Sequence, residues 1–342
     1  MKRAVSRPTK FRTIGIYSLI AAAVILGIAV VYFYRGSVAP PTASPPGTSA
    51  PPTSTPGTSA PLTSTPPTST PGASGPPTST PPTSTPGASR PPVSNPTVNR
   101  AEYQEVPNQV LFALDSSGKP NISGDLTNIV QGNVGDCYFL AALMTVAARE
   151  PETIQNMVHD NGDGTYTISF HSRYDGVASP VTVTVNGDLP YRRDKPYENG
   201  IENIDGKNVS WAAIIEKGWA AANGNSYKGI EGTDLSNIED HDVHNALFAI
   251  TGKVGVDRNP GGPMTEVSFD QMQQDFSNGL VTLGTSNSKG KLVADHSYAL
   301  LGVNSAEQTV VVGNPEGGQS TLTFDAFQSS NINQYIALPT YP

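Results

Sequence analysis

The chain has one cysteine, Cys137, among its 342 residues. A single cysteine excludes a disulfide framework within the chain, and it excludes a zinc module built from several cysteines. Two interpretations of Cys137 remain: an inert hydrophobic residue in the core, or a nucleophile that reacts as the thiolate. The sequence on either side of Cys137 distinguishes between these two interpretations.

Acidic residues are missing from the first part of the chain. Residues 1–100 contain eight Lys and Arg but no Asp or Glu, whereas residues 101–342 contain 13 basic and all 29 acidic residues. This second part, the body, therefore carries a formal charge of −16. A surface that binds nucleic acid needs positive charge to displace phosphate counterions, so we expect no nucleic-acid partner.

One long uncharged run, Ile14 to Tyr34, stands near the N-terminus. At about 1.5 Å per residue, a helix of this length crosses the roughly 30 Å hydrocarbon layer of a membrane. We therefore predict a transmembrane helix at 14–34 after a basic cytoplasmic tail at 1–13. Five cations precede the run and only Arg35 follows it closely, which places the body outside the cytoplasm. The competing interpretation is a cleaved signal peptide, whose apolar core is usually only about 7–15 residues long.

Residues 35–99 consist largely of Pro, Thr and Ser in repeated units, and most of the 31 prolines lie there. The segment has no aromatic residue, so it cannot form a core, and proline favours the extended polyproline II conformation. We predict a disordered stalk, with a composition like that of O-glycosylated stalks. A spacer that holds the body away from the membrane and a simple flexible linker are both compatible with this composition.

Hydrophobic patterning predicts an α+β body at 100–342, with subdomains at about 100–255 and 256–342. A helix that is apolar on nearly every face begins at Cys137 and stops at Glu150-Pro151. The other expected elements are helices that begin at Ser210 and Ser268, antiparallel strands around 166–170 and 181–185, and strands at 280–285, 296–303, 308–313 and 320–324.

Three residue types suited to nucleophilic catalysis fall at the ends of these elements. Cys137 lies in the first turn of the helix, where the backbone N–H groups and the helix dipole favour a thiolate. His296 begins one predicted strand and Asn314 follows another, so adjacent strands would bring them together. A cysteine nucleophile normally pairs with an imidazole that a third group orients.

The segments around these residues resemble the calpain-type cysteine peptidases. Gln131-Gly-Asn-Val-Gly-Asp-Cys137 is similar to the family's Gln-Gly-x-x-Gly-Asp-Cys motif, and Trp211-Ala-Ala-Ile-Ile-Glu-Lys217 to its Trp-x-x-Leu-Leu-Glu-Lys helix. Asp295-His296-Ser-Tyr298 stands where the family has Gly-His-Ala-Tyr, and Gly313-Asn314-Pro315 where it has Arg-Asn-Pro. The resemblance covers residues 125 to about 327. It implies a papain-like fold, in which a helical subdomain with a buried cysteine-bearing helix packs on an antiparallel β subdomain.

The resemblance also implies a role for each site residue. Cys137 would be the nucleophile of an endopeptidase acting on proteins or peptides, His296 the general base and then acid, and Asn314 the residue that orients the imidazole. Gln131 would donate its side-chain N–H to the oxyanion. Glu316 stands in place of the family's Trp, which removes an apolar shield next to the His–Asn pair.

We expect no cofactor and a monomeric body. Ca²⁺ is possible but not expected to be required, because no EF-hand sequence is present. His241 and His244, with Asp240, have a spacing that could hold a metal, although a solvated helix face is the simpler interpretation. Asp160-Asn-Gly-Asp-Gly164 indicates a hairpin turn rather than a calcium loop. Two other functions remain open: a surface binding or adhesion module that keeps a peptidase-like cleft, and a peptidoglycan hydrolase with a Cys–His pair.

Overall fold

The computed structural model describes most of the chain from residue 93 to residue 339, all within one compact unit at 82–342. The predicted membrane span and nearly all of the predicted stalk lie outside the described residues. No helix among the described residues is long and apolar enough to cross a membrane. The described residues are 93, 95–124, 126–174, 177–193, 195–197, 200–232, 243–259, 266–286 and 290–339.

The described part of the chain contains both helices and strands. The helices are α1 (Cys137–Arg149), α2 (Pro151–Met157), α3 (Trp211–Ala222), α4 (Val243–Thr251), α5 (Phe269–Asn278) and α6 (Phe324–Gln328). The strands are β1 (Glu102–Gln104), β2 (Gln109–Val110), β3 (Val158–Asp160), β4 (Thr165–Tyr174), β5 (Val177–Asn186), β6 (Leu189–Arg192), β7 (Lys195–Pro196), β8 (Glu202–Ile204), β9 (Lys207–Val209), β10 (Val256–Asp257), β11 (Gly279–Thr285), β12 (Ser297–Asn304), β13 (Thr309–Gly313), β14 (Gln319–Thr323) and β15 (Ile332–Pro339). The predicted α+β class is confirmed.

The largest sheet is antiparallel and six-stranded, in the order β10-β15-β11-β12-β13-β14. Its strands β11 to β14 are the four that the sequence predicted. The sequence did not predict β15, which pairs with both β10 and β11 inside the sheet. The other sheets are three-stranded, in the orders β1-β6-β7, β2-β9-β8 and β3-β4-β5.

Helix α1 is the cysteine-bearing helix, and it is buried from Tyr138 to Ala147 as its apolar sequence predicts. It packs against β11, β12 and α4. The hydroxyl of Thr282 on β11 donates to Oγ1 of Thr145 at 3.0 Å, and Thr145 in turn donates to the carbonyl of Ala141. These bonds satisfy both buried hydroxyls and tie the helix to the large sheet. The helix ends at Arg149, and Pro151 starts α2, where a first-turn proline loses no hydrogen bond.

Two hydrophobic clusters lie on either side of the large sheet. Along β11, Leu280 belongs to the cluster around α1 and α3, whereas Val281 and Leu283 belong to the cluster on the other face. Residues neighbouring along a strand point to opposite faces, so β11 contributes to both clusters. The predicted subdomain boundary near residue 255 falls between α4 and β10. Ala299 on β12 also belongs to the cluster around α1 and α3, so this cluster contains residues from both predicted subdomains.

Helix α3, the helix that the sequence predicts to begin at Ser210, is buried on all sides over most of its length. Every residue from Trp211 to Gly218 is buried, including Glu216 and Lys217, which are fully inaccessible. The Lys217 ammonium donates to Asn186 Oδ1 at 2.7 Å and to the Asp188 carbonyl at 2.5 Å. These hydrogen bonds compensate for the cost of burying the Lys217 ammonium group, so α3 can be buried on all sides from Trp211 to Gly218.

Candidate active site

Cys137 is the first residue of α1 and remains partly exposed. Asp136 is the N-cap residue, and its carbonyl accepts the N–H groups of Phe139 at 2.8 Å and Leu140 at 3.1 Å. The thiol therefore stands at the positive end of a 13-residue helix that is buried from Tyr138 to Ala147. The predicted position of the cysteine is confirmed.

His296 and Asn314 lie together at one end of the large sheet. His296 immediately precedes β12 and Asn314 immediately follows β13, and these strands pair antiparallel with Ala299 opposite Gly313. The end of one strand and the start of the other therefore meet. The Nε2 atom of His296 lies 2.7 Å from Oδ1 of Asn314, so the predicted pair is in hydrogen-bond contact.

A second hydrogen bond decides which nitrogen of His296 carries the proton. The main-chain N–H of Glu316 donates to Oδ1 of Asn314 at 2.9 Å, so that atom has to be an acceptor oxygen. Since an amide oxygen can only accept, Nε2 of His296 is the donor. In the neutral imidazole this leaves Nδ1 unprotonated and free to act as a base. Glu316, which replaces the family's Trp, thus fixes the orientation of Asn314 through its backbone.

Cys137 lies close to Ser297, the first residue of β12. Its sulfur lies 3.9 Å from the hydroxyl oxygen of Ser297, the residue that follows His296. Burial raises the pKa of the Cys137 thiol, and the nearby Asp136 raises it further, while hydrogen bonds from Ser297 and Tyr138 act in the opposite direction. Burial and Asp136 therefore outweigh the hydrogen bonds at the helix N-terminus, and our expectation from the sequence included neither of these two effects. Forming the thiolate therefore requires a neutral base nearby. When this base accepts the thiol proton it becomes positively charged, and its charge stabilises the thiolate.

Gln131 connects the segment before the cysteine with the segment after Asn314. Its main-chain N–H donates to the carbonyl of Pro315 at 2.7 Å. Its side-chain Nε2 donates to the carbonyl of Val134 at 2.7 Å, which orients the amide. An amide nitrogen has two hydrogens, so one stays available to an oxyanion. The structure therefore brings Gln131 to the same site as Asn314.

The loop that carries His296 is held by Thr285, which the sequence gave no reason to single out. Thr285 donates its main-chain N–H to the His296 carbonyl at 2.8 Å, and its hydroxyl accepts the His296 N–H at 3.2 Å. Tyr298 packs edge-on against the imidazole with ring centres 5.0 Å apart. Asp295 has φ 49°, a left-handed conformation that Asp tolerates better than most residues. This conformation accounts for an aspartate where the family has glycine.

Gly313 stands where the family has Arg, and it lies against the ends of two long side chains. A Cβ atom on Gly313 would require Sδ of Met144 on α1 to shift, and it would lie 2.7 Å from Leu301 Cδ1. Met144 and Leu301 would therefore have to move to admit a larger residue at this position.

Two buried acids next to the cysteine are the main feature that the sequence analysis missed. Asp136 and Glu216 are both fully inaccessible, and the carboxyl group of Asp136 faces that of Glu216. Burial raises the pKa of Asp136 to about 8, and repulsion from Glu231 adds to the effect. The Glu216 side chain acts in the opposite direction and lowers this pKa, but burial has the larger effect. At neutral pH the folded protein therefore keeps a proton on Asp136, which leaves less negative charge beside Cys137.

The other candidate metal-binding residues lie only partly within the described part of the chain. His244 lies in the first turn of α4, while His241 and Asp240 lie outside the described residues. Among the described residues, no group of three or more His, Cys, Asp or Glu is placed to hold a metal ion. Asp160 accepts the N–H of Gly162 at 2.9 Å and Asp163 that of Thr165 at 3.0 Å, between the antiparallel strands β3 and β4. The predicted hairpin turn is confirmed.

Comparisons with known proteins point to one family. The chain is 26% identical to the calpain-type cysteine protease ADL1 of Oryza sativa subsp. japonica over 230 residues, which are 61% of this chain and 10% of that protein. It is 26% identical to the calpain-type cysteine protease DEK1 of Zea mays over 217 residues, which are 58% of this chain and 9% of that protein. It is 31% identical to calpain-9 of Rattus norvegicus over 107 residues, which are 31% of this chain and 15% of that protein.

The matched region thus spans only a small part of each of these relatives. The sequence profile described as "Calpain family cysteine protease" matches residues 119–322, which is more than half of this chain and contains all four predicted site residues. The family expectation from the sequence is therefore confirmed, and the chain belongs to the calpain family of cysteine proteases.

Proposed function

We propose that this protein is a cysteine endopeptidase that hydrolyses peptide bonds in protein substrates, with Cys137 as the nucleophile. The observation that carries the proposal is the 2.7 Å bond between His296 and Asn314, beside the helix N-terminus that presents the thiol. An oriented imidazole with an unprotonated Nδ1 is the partner that a thiol with a raised pKa requires.

In the first half of the reaction, Nδ1 of His296 accepts the thiol proton and the Cys137 sulfur attacks the substrate carbonyl carbon. The carbonyl π electrons move to oxygen, and the oxyanion accepts hydrogen bonds from the Cys137 main-chain N–H and the Gln131 amide. The C–N bond then breaks as His296 gives its proton to the leaving nitrogen. The products are a free amine and a thioester on Cys137.

In the second half, His296 Nδ1 takes a proton from water and the oxygen attacks the thioester carbonyl. The C–S bond breaks, the acid product leaves, and the sulfur recovers its proton from the imidazolium. Throughout both halves, Oδ1 of Asn314 accepts the hydrogen bond that the Nε2–H group of His296 donates. It thereby keeps one tautomer and one ring orientation, while Glu316 keeps the Asn314 oxygen in place.

The setting of the enzyme is also part of the proposal. The body would act outside the cytoplasm as a monomer, anchored by the run Ile14 to Tyr34 and displayed on the stalk at 35–99. The charge asymmetry around the run and the Pro, Thr and Ser composition of the stalk support this placement. Activity would not require a calcium switch, because the proposed chemistry needs only side chains of the body.

The test uses the full-length protein in detergent with a library of internally quenched peptides. We expect hydrolysis by the wild type, with and without a calcium chelator, and loss of at least a thousandfold in kcat/KM for Cys137→Ala and His296→Ala. Lys253→Ala, at a half-exposed side chain, is the control and should leave the rate unchanged. Substrate binding without turnover in the wild type would instead support a binding module, and turnover by Cys137→Ala would refute the proposal.

A further inference from the structure

A cavity of about 220 Å³ lies beside the proposed active site. One wall is the segment that leads to Gln131, and the opposite wall is the turn that follows Asn314. Met144, on α1, lies between them. The residues that line it include Leu126, Val130, Met144 and Gly318.

The walls of this cavity are connected directly to the proposed catalytic residues. Asn314 donates its main-chain N–H to the carbonyl of Gly318 at 3.0 Å, and its own carbonyl accepts the N–H of Gly317 at 2.9 Å. On the other side, the bond from the Gln131 N–H to the Pro315 carbonyl holds the two walls together. The cavity is therefore built from the same short turns that position Asn314 and Gln131.

The size and chemistry of the cavity define what it can accept. Its volume is below the roughly 300–1,000 Å³ of sites for drug-sized ligands, and it suits a single side chain. Leu126, Val130 and Met144 give it apolar surface, and 38% of Val130 is exposed to solvent. Among the described residues, its lining contains no charged side chain, and its polar side chains are those of Ser123, Thr127 and Gln319. An uncharged, apolar side chain such as Leu or Met therefore matches it better than an acidic one.

The position of the cavity indicates which half of a substrate would reach it. In the proposed reaction the acyl half is attached to Cys137, while the leaving nitrogen receives its proton from His296. The leaving half must therefore pass on the side of the His296–Asn314 pair, and the cavity opens beside the turn after Asn314. We propose that this cavity binds an apolar side chain on the leaving-group side of the scissile bond. This inference rests on the proposed peptidase function.

The test compares two kinds of substrate in the full-length protein. Internally quenched peptides carry Leu, Met, Gly or Asp at successive positions on the leaving side, and peptidyl-aminomethylcoumarins have no amino acid there. Val130→Trp fills the cavity from its exposed rim. We expect it to lower kcat/KM roughly tenfold or more for peptides with Leu or Met at one leaving-side position, and less than about twofold for the coumarin substrates.

The matched control is Val256→Trp, which changes another exposed valine at the opposite edge of the large sheet. A second variant, Leu126→Ala, enlarges the cavity and should shift the preference at the same position from Leu towards Phe or Trp. Thermal unfolding, followed by tryptophan fluorescence, checks that Val130→Trp, Val256→Trp and Leu126→Ala are folded.

The outcomes separate this inference from the proposed function. Hydrolysis of neither substrate type by the wild type would overturn the proposed function, and the subsite with it. Hydrolysis of both types, with Val130→Trp lowering both rates equally or neither, would overturn the subsite alone. An equal loss for peptides with Leu, Met, Gly and Asp at every leaving-side position would overturn it as well.

Discussion

The buried pair of Asp136 and Glu216 makes the stability of the body depend on pH, and Asp136→Asn tests this. Asp136 has an ordinary pKa of 3.8 when unfolded and about 8 when folded. Between these values the folded protein holds a proton that the unfolded chain has lost. Raising the pH in this window therefore favours unfolding, and the stability that is present below about pH 4 is lost as the pH rises towards 8.

The size of the effect follows from the proton count. One proton bound by the folded state alone changes the free energy of unfolding by at most about 1.4 kcal/mol per pH unit. From pH 5 to pH 7 the wild type should therefore lose up to about 3 kcal/mol through this pair. Asparagine has nearly the same shape but does not titrate, so Asp136→Asn should show a much flatter dependence and be the more stable protein at pH 7.

The assay is urea unfolding of the full-length protein at pH 5, 6 and 7. Trp211 and Trp219 are the two tryptophans of the chain and both lie on α3, so their fluorescence reports the unfolding of the body. Asp295→Asn changes an exposed aspartate near the same site and should keep the wild-type pH dependence. Parallel stability curves for the wild type and Asp136→Asn would refute the argument that the folded protein holds a proton on Asp136.

Three further substitutions test other parts of the account. Gln131→Ala should lower kcat by roughly 100- to 1,000-fold with little change in KM, as expected for loss of one oxyanion donor; an equal loss through KM would contradict this role. Asn314→Ala should lower kcat less than His296→Ala does, since it frees the ring but leaves the base in place; the reverse order in steady-state kinetics would contradict it. Lys217→Met should destabilise the body by about 1–3 kcal/mol in urea unfolding, because the buried acceptors at Asn186 and Asp188 lose their donor; an unchanged midpoint would contradict the buried-charge contacts.

The positions of the proposed catalytic residues were predictable because each depends on a local pattern. An apolar run after Gly135-Asp136 gives a buried helix with Cys137 at its start. Two strand patterns ending near His296 and Asn314 give neighbouring strands whose ends meet. These signals need only the period of the hydrophobic residues and the family motifs, and no knowledge of distant contacts.

The features that escaped prediction depend on contacts between residues far apart in the sequence. Glu216 and Lys217 look like the polar side of an amphipathic helix, and their burial follows from Asp136 and from Asn186. The residues of β15 show no alternation because both faces of the strand are covered, so its burial pattern is nearly continuous. The raised pKa of the Cys137 thiol likewise results from packing around the helix terminus, which the dipole argument alone does not include.

The most direct test of the central claim is covalent modification of Cys137 by a peptidyl epoxide, followed in parallel by intact mass and by residual hydrolysis. The account predicts a single adduct that peptide mapping assigns to Cys137, a loss of hydrolysis in proportion to the adduct, and slower modification when substrate is present. His296→Ala should form the adduct far more slowly, since the thiol loses its base. Hydrolysis that continues at the full rate after Cys137 is completely modified would contradict the account.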